Sequence, residues 1–236
     1  MTYQQPADGE WKTMSEYTKL TTVDEHELSA YVARPEGEPI AGLVVVQEIF
    51  GVNAHIRSVA DGYAKDGFLA VAPALFDRIE PGVELGYEGA DMVRARSFIP
   101  KLDMDKGVLD VAAALQFAKA ETFRKVGVVG FCWGGTLAWL SATRLQPDAA
   151  VGYYGGGIGN YAAEMPQCPV MLHFGKLDKH IPAEEVSKIK QAHPQVEIYW
   201  YDADHAFNAE PRSSYNPQAA RLARERSLAF LKKHLA

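Results

Sequence analysis

The feature that most constrains the fold of this 236-residue chain is an alternation of short apolar runs with segments of helical periodicity. Six runs are almost continuously apolar or aromatic, as strands buried on both faces of a parallel sheet are. These runs cover residues 41–47, 68–73, 125–130, 149–154, 170–174 and 196–201. Residues 19–34 have the pattern of two leading antiparallel strands. The alternation predicts an α/β fold with a mostly parallel central sheet and helices on both faces.

Apolar residues recur at helical spacing between and after these runs. The predicted helices cover residues 56–64, 108–115, 136–145, 182–189 and 217–231. No internal repeat or low-complexity stretch interrupts this order, and Pro and Gly lie scattered at element ends. We therefore predict a single domain over residues 1–236, in which residues 1–18 form a polar N-terminal extension without a signal-peptide pattern.

Charge and hydropathy exclude several classes of partner. Acidic residues outnumber basic ones by 30 to 24, which gives a net charge of −6, and no Lys/Arg cluster suggests nucleic-acid binding. The apolar stretches are too short to span a bilayer, so we expect a soluble protein without a membrane partner. Two cysteines in a chain of this length favour reduced thiols in the cytoplasm. We expect a monomer.

One strand–helix junction has the pattern of a nucleophile elbow. Its sequence is Gly130-Phe131-Cys132-Trp133-Gly134-Gly135, which is G-x-C-x-G. Glycines are needed around such a turn because a Cβ would collide with the neighbouring chain, and the helix N-terminus favours a thiolate. The alternative is that Cys132 is a small buried apolar residue. The strand, the glycines and the helix together favour a nucleophile.

An acid and then a histidine are expected after later strands, as in other α/β-hydrolases. Asp178 follows the run 170–174, and His205 follows the run 196–201. Histidine titrates near neutrality and can accept the thiol proton, while the aspartate holds the imidazole tautomer. His180 competes for the first role but lies too close to Asp178, and Asp202 and Asp204 compete for the second.

The loop after the first apolar run reads Gln47-Glu48-Ile49-Phe50-Gly51-Val52-Asn53. An oxyanion hole needs one donor from such a loop and one from the elbow, so we assign the backbone N–H groups of Ile49 and Trp133. Glu48 is an unusual neighbour for a thiolate, which a carboxylate repels. We interpret Glu48 as a group that keeps the nucleophile inactive without substrate. The alternative for Glu48 is a surface carboxylate.

These motifs together resemble the dienelactone hydrolase family of α/β-hydrolases, from about residue 20 to the C-terminus. The segments 47–53, 130–135, 150–155 and 204–207 match the pattern of that family in order. The resemblance implies the α/β-hydrolase fold and hydrolysis of a small ester or lactone. It further implies a triad of Cys132, His205 and Asp178, a glutamate at Glu48 near the resting thiol, and no metal or organic cofactor.

Substrate contacts follow only from the resemblance. It assigns Arg78 to the carboxylate of a dienelactone, and Tyr154 lies in one of the matching motifs. The second carboxylate-binding arginine of the family lies four residues after the histidine, where this chain has Ala209. Arg212 is nearby and is the candidate to replace it.

Two alternative functions stay open at this stage. The first is a general carboxylesterase or thioesterase that acts on uncharged acyl groups, because the pair of arginines is incomplete. The second is a non-catalytic or redox-sensing cysteine protein, since a fold alone does not establish an activity. Rates on carboxylated and uncharged esters separate the first from a dienelactone hydrolase, and a lack of any hydrolysis favours the second.

Overall fold

The computed structural model of the protein describes residues 14–236. Eight strands form one sheet, in the order β1-β2-β4-β3-β5-β6-β7-β8. The strands are β1 (Met14–Thr21), β2 (Glu27–Arg34), β3 (Ala41–Val46), β4 (Phe68–Pro73), β5 (Val126–Phe131), β6 (Ala149–Tyr153), β7 (Val170–Gly175) and β8 (Glu197–Tyr201). β2 pairs antiparallel with β1 and β4, and every later pairing is parallel. The predicted leading antiparallel strands and mostly parallel sheet are confirmed.

Within residues 14–236, six α-helices and three short 3-10 segments connect the strands or, in the case of the last helix, follow them. The helices are α1 (Ala54–Lys65), α2 (Gly89–Phe98), α3 (Met104–Thr122), α4 (Trp133–Arg144), α5 (Ala183–Ala192) and α6 (Pro217–Leu235), and the 3-10 segments are Leu75–Arg78, Ile99–Lys101 and Ile158–Tyr161. Two positions on β5 show that helices cover both faces of the sheet. A Cβ at Gly127 would meet α6, whereas a Cβ at Gly130, on the opposite face, would meet α4.

Side-chain caps explain where three helices begin. Asn53, Asp103 and Asn216 each accept hydrogen bonds from backbone N–H groups in the first turns of α1, α3 and α6. The residue before α4 is Cys132, whose side chain caps no N–H group. The free N–H groups at the start of α4 are therefore available to a ligand beside the thiol.

Most element ends shift from their predicted positions, and α3 extends over Met104–Thr122 instead of residues 108–115. Three further differences matter for the N-terminus and the site. β1 begins at Met14, so the predicted extension over residues 1–18 is too long, and its residues 1–13 lie outside the described part. α4 begins at Trp133, three residues before the predicted start. α2 was not predicted, because its apolar residues do not share one face: Phe98 is buried while Val93 is 71 % exposed. None of the helices between residues 14 and 236 combines the length and apolarity that crossing a bilayer requires.

Candidate active site

Backbone contacts hold Cys132 in the turn between β5 and α4. Its φ of 54° lies in the left-handed region, which a residue with a Cβ adopts only when its surroundings enforce it. A Cβ at Gly130 would lie 1.8 Å from the carbonyl oxygen of Gly134, and one at Gly134 would lie 2.5 Å from the carbonyl oxygen of Gln47. The main chains of the turn, of α4 and of the loop after β3 therefore touch, and the thiol lies where they meet.

His205 reaches the thiol, and Asp178 reaches His205, from loops at the ends of β8 and β7. Asp178 lies in the loop after β7, and His205 lies in the loop after β8. The His205 Nε2 is 3.2 Å from the Cys132 Sγ, and its Nδ1 is 2.7 Å from the Asp178 Oδ2. The Asp178 Oδ1 accepts a second hydrogen bond from the backbone N–H of His180 at 2.8 Å. The three side chains thus form a continuous chain of hydrogen bonds.

Contacts with Asp178 and with the Cys132 sulfur favour a proton on His205. Burial alone would lower the pKa of this imidazole, but its contacts with Asp178 and the Cys132 sulfur raise the pKa to about 10. Burial opposes ionisation of Asp178, yet His205 and the His180 N–H hold the pKa of this carboxyl below its usual value. These contacts favour the protonated imidazole, so they shift the titration of His205 above the neutral range expected from the sequence.

The two predicted oxyanion donors belong to the backbone segments that meet at the Cys132 turn. Trp133 directly follows Cys132 as the first residue of α4, and Ile49 lies in the loop whose backbone packs on Gly134. Neither N–H group donates a hydrogen bond to another residue in the range 14–236. Both donors remain available for a substrate oxygen.

Glu48 is buried instead of lying on the surface. Its side chain is 1 % exposed, and its Oε2 accepts a hydrogen bond from the Tyr87 hydroxyl at 2.8 Å. Burial raises the pKa of this carboxyl, while Tyr87, Arg212 and His205 lower it. Glu48 thus lies within electrostatic reach of His205, and burial moves its ionisation toward neutral pH.

Sequence reasoning did not identify Tyr87. This tyrosine precedes α2 in a stretch with neither strand nor helix periodicity, so its contact with Glu48 depends on how residues 79–88 fold back over the loop after β3. The surrounding glycines, Gly86 and Gly89, indicate a turn and nothing more.

Arg78 lines a cavity together with Trp133, the residue after Cys132, but its guanidinium is held in ion pairs. Its guanidinium binds Asp110 through Nε and the Asp24 carboxylate through both terminal nitrogens, at 2.9 Å in each case. Two carboxylates already surround this one cation, so a third anion gains little there. The substrate contact of Arg78 stays a prediction, and it requires an anion to compete with the ion-pair cluster between the β1–β2 turn and α3.

Tyr154 and Arg212 lie at the site. The ring centroid of Tyr154 is 5.1 Å from that of His205, and its buried hydroxyl has no hydrogen-bond partner among residues 14–236. The Arg212 guanidinium carbon lies 5.8 Å from the Phe50 ring centroid and 5.9 Å from that of Tyr87. Arg212 makes no ion pair within the described part of the chain. A cation is therefore available next to Glu48.

No group of three or more His, Cys, Asp or Glu side chains between residues 14 and 236 has the arrangement of a metal site. The chemistry that this geometry supports comes from a thiol and a protonated imidazole, with backbone donors beside them. Those are the components of nucleophilic acyl transfer.

Comparisons with known proteins agree with this chemistry. The model of the dienelactone hydrolase family matches residues 28–235. Carboxymethylenebutenolidases of Pseudomonas putida and Pseudomonas knackmussii are each 36 % identical over 227 residues, which cover 92 % of this chain and 96 % of the relative. A crystal structure of a candidate dienelactone hydrolase from Klebsiella pneumoniae has a TM-score of 0.78 at 30 % identity, over 92 % of this chain and 98 % of that one. This protein therefore belongs to the dienelactone hydrolase family and is an ester or lactone hydrolase with the α/β-hydrolase fold.

Proposed function

We propose that Cys132, His205 and Asp178 form the catalytic triad with which this protein hydrolyses a small ester or lactone. The observation that carries the proposal is the hydrogen-bond chain from the Cys132 Sγ through the His205 imidazole to Asp178, at 3.2 Å and 2.7 Å. A nucleophile, a base and a group that orients the base need this mutual geometry. The fully buried Tyr154 ring packs beside the His205 imidazole, so it supports the base and presents no exposed surface to a substrate in this structure.

In the acylation step, the Cys132 thiolate attacks the carbonyl carbon of the ester, and the carbonyl π electrons move to the oxygen. The N–H groups of Ile49 and Trp133 stabilise that oxyanion. When the intermediate collapses, the C–O bond breaks and the leaving oxygen takes the proton from the His205 Nε2. The products of this step are an alcohol, or the tethered hydroxyl of an opened lactone, and a thioester on Cys132.

Deacylation reverses the direction of proton transfer. His205, now neutral, takes a proton from water while the water oxygen attacks the thioester carbonyl. Collapse of the second intermediate breaks the C–S bond, releases a carboxylic acid and restores the thiolate beside a protonated His205. Asp178 stabilises the imidazolium each time it forms and keeps the Nε2 directed at the sulfur.

Glu48 restrains the nucleophile in the free enzyme. An ionised carboxylate close to the Cys132–His205 pair opposes a thiolate, and it does so more strongly where water is excluded. Burial of Glu48 limits the pH range over which this restraint operates, because it favours the protonated carboxyl. Substrate that displaces the Glu48 side chain removes the restraint at the moment of attack.

The charges around the site support two classes of substrate. Arg212 forms no ion pair with any residue from 14 to 236, lies next to Glu48, and suits an ester or lactone that carries a carboxylate, as carboxymethylenebutenolides do. The commitment of Arg78 to Asp24 and Asp110, with Ala209 at the position of the second family arginine, favours the alternative of uncharged esters or thioesters. A cytoplasmic monomer without cofactor remains our expectation for either class.

The test of the proposed triad is Cys132→Ala. Loss of the nucleophile removes the covalent path, so we expect kcat/KM on p-nitrophenyl acetate to fall at least about 10³-fold with an unchanged circular dichroism spectrum. Cys168→Ala is the matched control. The Cys168 thiol is largely buried, which raises its pKa to about 12, and it should not contribute to turnover.

The same two proteins and the wild type are assayed on an anionic lactone and on its methyl ester. Faster turnover of the anionic lactone identifies the dienelactone class, and faster turnover of the methyl ester identifies the uncharged class. A Cys132→Ala protein that retains most of its activity on every substrate excludes the covalent mechanism.

A further inference from the structure

The Tyr87 hydroxyl is the one hydrogen-bond donor that reaches the buried Glu48 carboxylate from within residues 14–236. Tyr87 is itself 8 % exposed and lies in the segment before α2. We propose that Tyr87 is a positioning residue for Glu48, which fixes the orientation of this carboxylate and determines at which pH it becomes charged. The inference rests on the proposed role of Cys132 and extends it to a residue outside the triad.

The segment that carries Tyr87 is fastened to the loop after β3. The Leu85 N–H donates to the Phe50 carbonyl at 2.9 Å, and the Asn53 side-chain amide donates to the Leu85 carbonyl at 2.9 Å. A Cβ at Gly51 would lie 1.7 Å from the Val83 carbonyl oxygen, so the two backbones are in direct contact. Residues 83–87, which we call the support of Tyr87, are therefore held against the loop after β3 by hydrogen bonds and backbone contact.

A second contact limits the movement of this support. Arg57 of α1 forms an ion pair with Glu84 and donates a hydrogen bond to the Val52 carbonyl at 2.7 Å. The Tyr87 ring also packs on Phe50, with 4.4 Å between the ring centroids. With both its backbone and its ring held, the Tyr87 hydroxyl keeps one position relative to Glu48.

The hydroxyl has a large effect because Glu48 has few other partners. The Glu48 Oε1 accepts no hydrogen bond within the described residues, so a charge on this buried carboxylate depends on Tyr87 and on more distant cations. Burial and the adjacent Glu48 raise the pKa of the Tyr87 hydroxyl, which therefore stays a donor over the whole working range of pH. The polar and titratable groups that face Glu48 or contact its partners are Tyr87, Arg212, His205, Tyr154, Cys132 and His55.

Loss of the Tyr87 hydroxyl should keep Glu48 protonated up to a higher pH. A hydrogen bond to a charged group is worth enough to move a pKa by about one to two units. Since a charged Glu48 restrains the thiolate, its protonated form leaves Cys132 reactive. Tyr87 thus acts on the nucleophile through Glu48 and touches no reacting atom.

The experiment measures the rate at which iodoacetamide alkylates Cys132 in the full chain, from pH 5 to pH 10, with the modified cysteine identified by mass spectrometry. Ionisation of Glu48 should appear in the wild type as a pH at which the alkylation rate decreases. We expect Tyr87→Phe to move this decrease upward by about one to two pH units and Glu48→Gln to abolish it. Cys132→Ala gives the background from Cys168.

A second measurement separates this role from a purely structural one. In the double variant Glu48→Gln/Tyr87→Phe, the alkylation profile should equal that of Glu48→Gln alone, because Tyr87 has no carboxylate left to act on. Tyr31→Phe is the matched control. Tyr31 is also 8 % exposed and donates to a carboxylate, that of Asp61 at 2.7 Å. It lies on β2, which β4 and β3 separate from the strand before Cys132, and it makes no hydrogen bond to Glu48 within the described residues, so its profile should follow the wild type.

Two outcomes contradict different parts of the argument. Tyr87 is not the positioning residue if Glu48→Gln shifts the alkylation profile and Tyr87→Phe leaves it unchanged. The same conclusion follows if Tyr87→Phe changes the alkylation profile equally in the wild type and in Glu48→Gln. If Glu48→Gln itself leaves the alkylation profile unchanged, Glu48 does not restrain the thiol, and the positioning role of Tyr87 is excluded as well. Failure of the triad is seen separately, as ester hydrolysis that survives Cys132→Ala.

Discussion

At the residue scale, Asp178 has a distinct partner for each carboxylate oxygen. One oxygen accepts from the His205 imidazole, and the other accepts from the backbone N–H of His180. The side chain is only 1 % exposed, so its charge acts on His205 with little screening by water. The high pKa of His205 depends on this charge as well as on the sulfur.

We predict that Asp178→Asn lowers kcat about 10²- to 10⁴-fold in a protein that still folds, because the amide keeps the shape but no longer favours the imidazolium. The pKa of His205, followed by NMR, should fall from about 10. Asp202→Asn is the control, since Asp202 lies in the same region but is 87 % exposed and pairs with Lys176. Equal losses in the two variants would remove Asp178 from the triad.

At the element scale, the start of α4 depends on a close approach of backbones. Gly134 lies in the first turn of α4, against the end of β3, where a Cβ would be 2.5 Å from two carbonyl oxygens. A methyl group there cannot be accommodated by a side-chain rotation, because the atoms that it meets belong to the main chain. The helix or the strand must shift instead.

Gly134→Ala should therefore lower the free energy of unfolding by about 1–3 kcal/mol and reduce hydrolysis further by displacing Cys132. Gly62→Ala in α1 offers a matched comparison, because nothing lies within 4 Å of a Cβ at that position. This second variant should gain up to about 1 kcal/mol from helix propensity. Urea unfolding measures the free energy of unfolding of both variants. A Gly134→Ala protein with the stability of the wild type would mean that the elbow tolerates a looser contact with β3.

At the scale of the whole molecule, buried histidines make stability depend on pH. Burial lowers the pKa of His55 to about 4 and that of His173 to about 3. The unfolded chain binds protons on these residues below about pH 6.5, whereas the folded chain does not, so acid favours unfolding. His205 has the opposite sign: its raised pKa stabilises the fold below about pH 6.5, and this contribution is lost as the pH rises through about 10.

We predict that the free energy of unfolding falls on both sides of a maximum near neutral pH. Between pH 6.5 and pH 4.5, His55→Gln should reduce the slope by about 1.4 kcal/mol per pH unit, because one proton fewer binds on unfolding. Denaturant unfolding at a series of pH values gives the slopes. An unchanged slope would mean that His55 is protonated in the folded protein.

Local patterns were sufficient to predict the strands and the Cys132, His205 and Asp178 cluster. A buried parallel strand is a continuous apolar run, and the carboxyl ends of such strands meet at one edge of the sheet, so residues that follow them must come together. Chain order then restricts the candidates to a few side chains. The apolar runs, and the residues that directly follow each run, can be recognised from the local sequence alone.

The segment 75–98 could not be predicted in the same way. α2 lacks an apolar face, and the contacts of Arg78 and Tyr87 involve Asp24, Asp110 and Glu48, which are distant in sequence. Whether an arginine faces a substrate or an ion pair is decided by which carboxylates the fold brings to it. Single-sequence patterns do not contain that information.

Main-chain contacts position Cys132, so the loops around it can vary within the family without moving the nucleophile. Elbow geometry comes from glycines and main-chain atoms of β3, β5 and α4, whereas Tyr87 and Arg212 lie on loops outside that framework. Substitutions and insertions in those loops can change the charge and shape of the acyl pocket without moving the sulfur. Selection for a new ester can therefore proceed through loop mutations while the reaction itself is inherited unchanged.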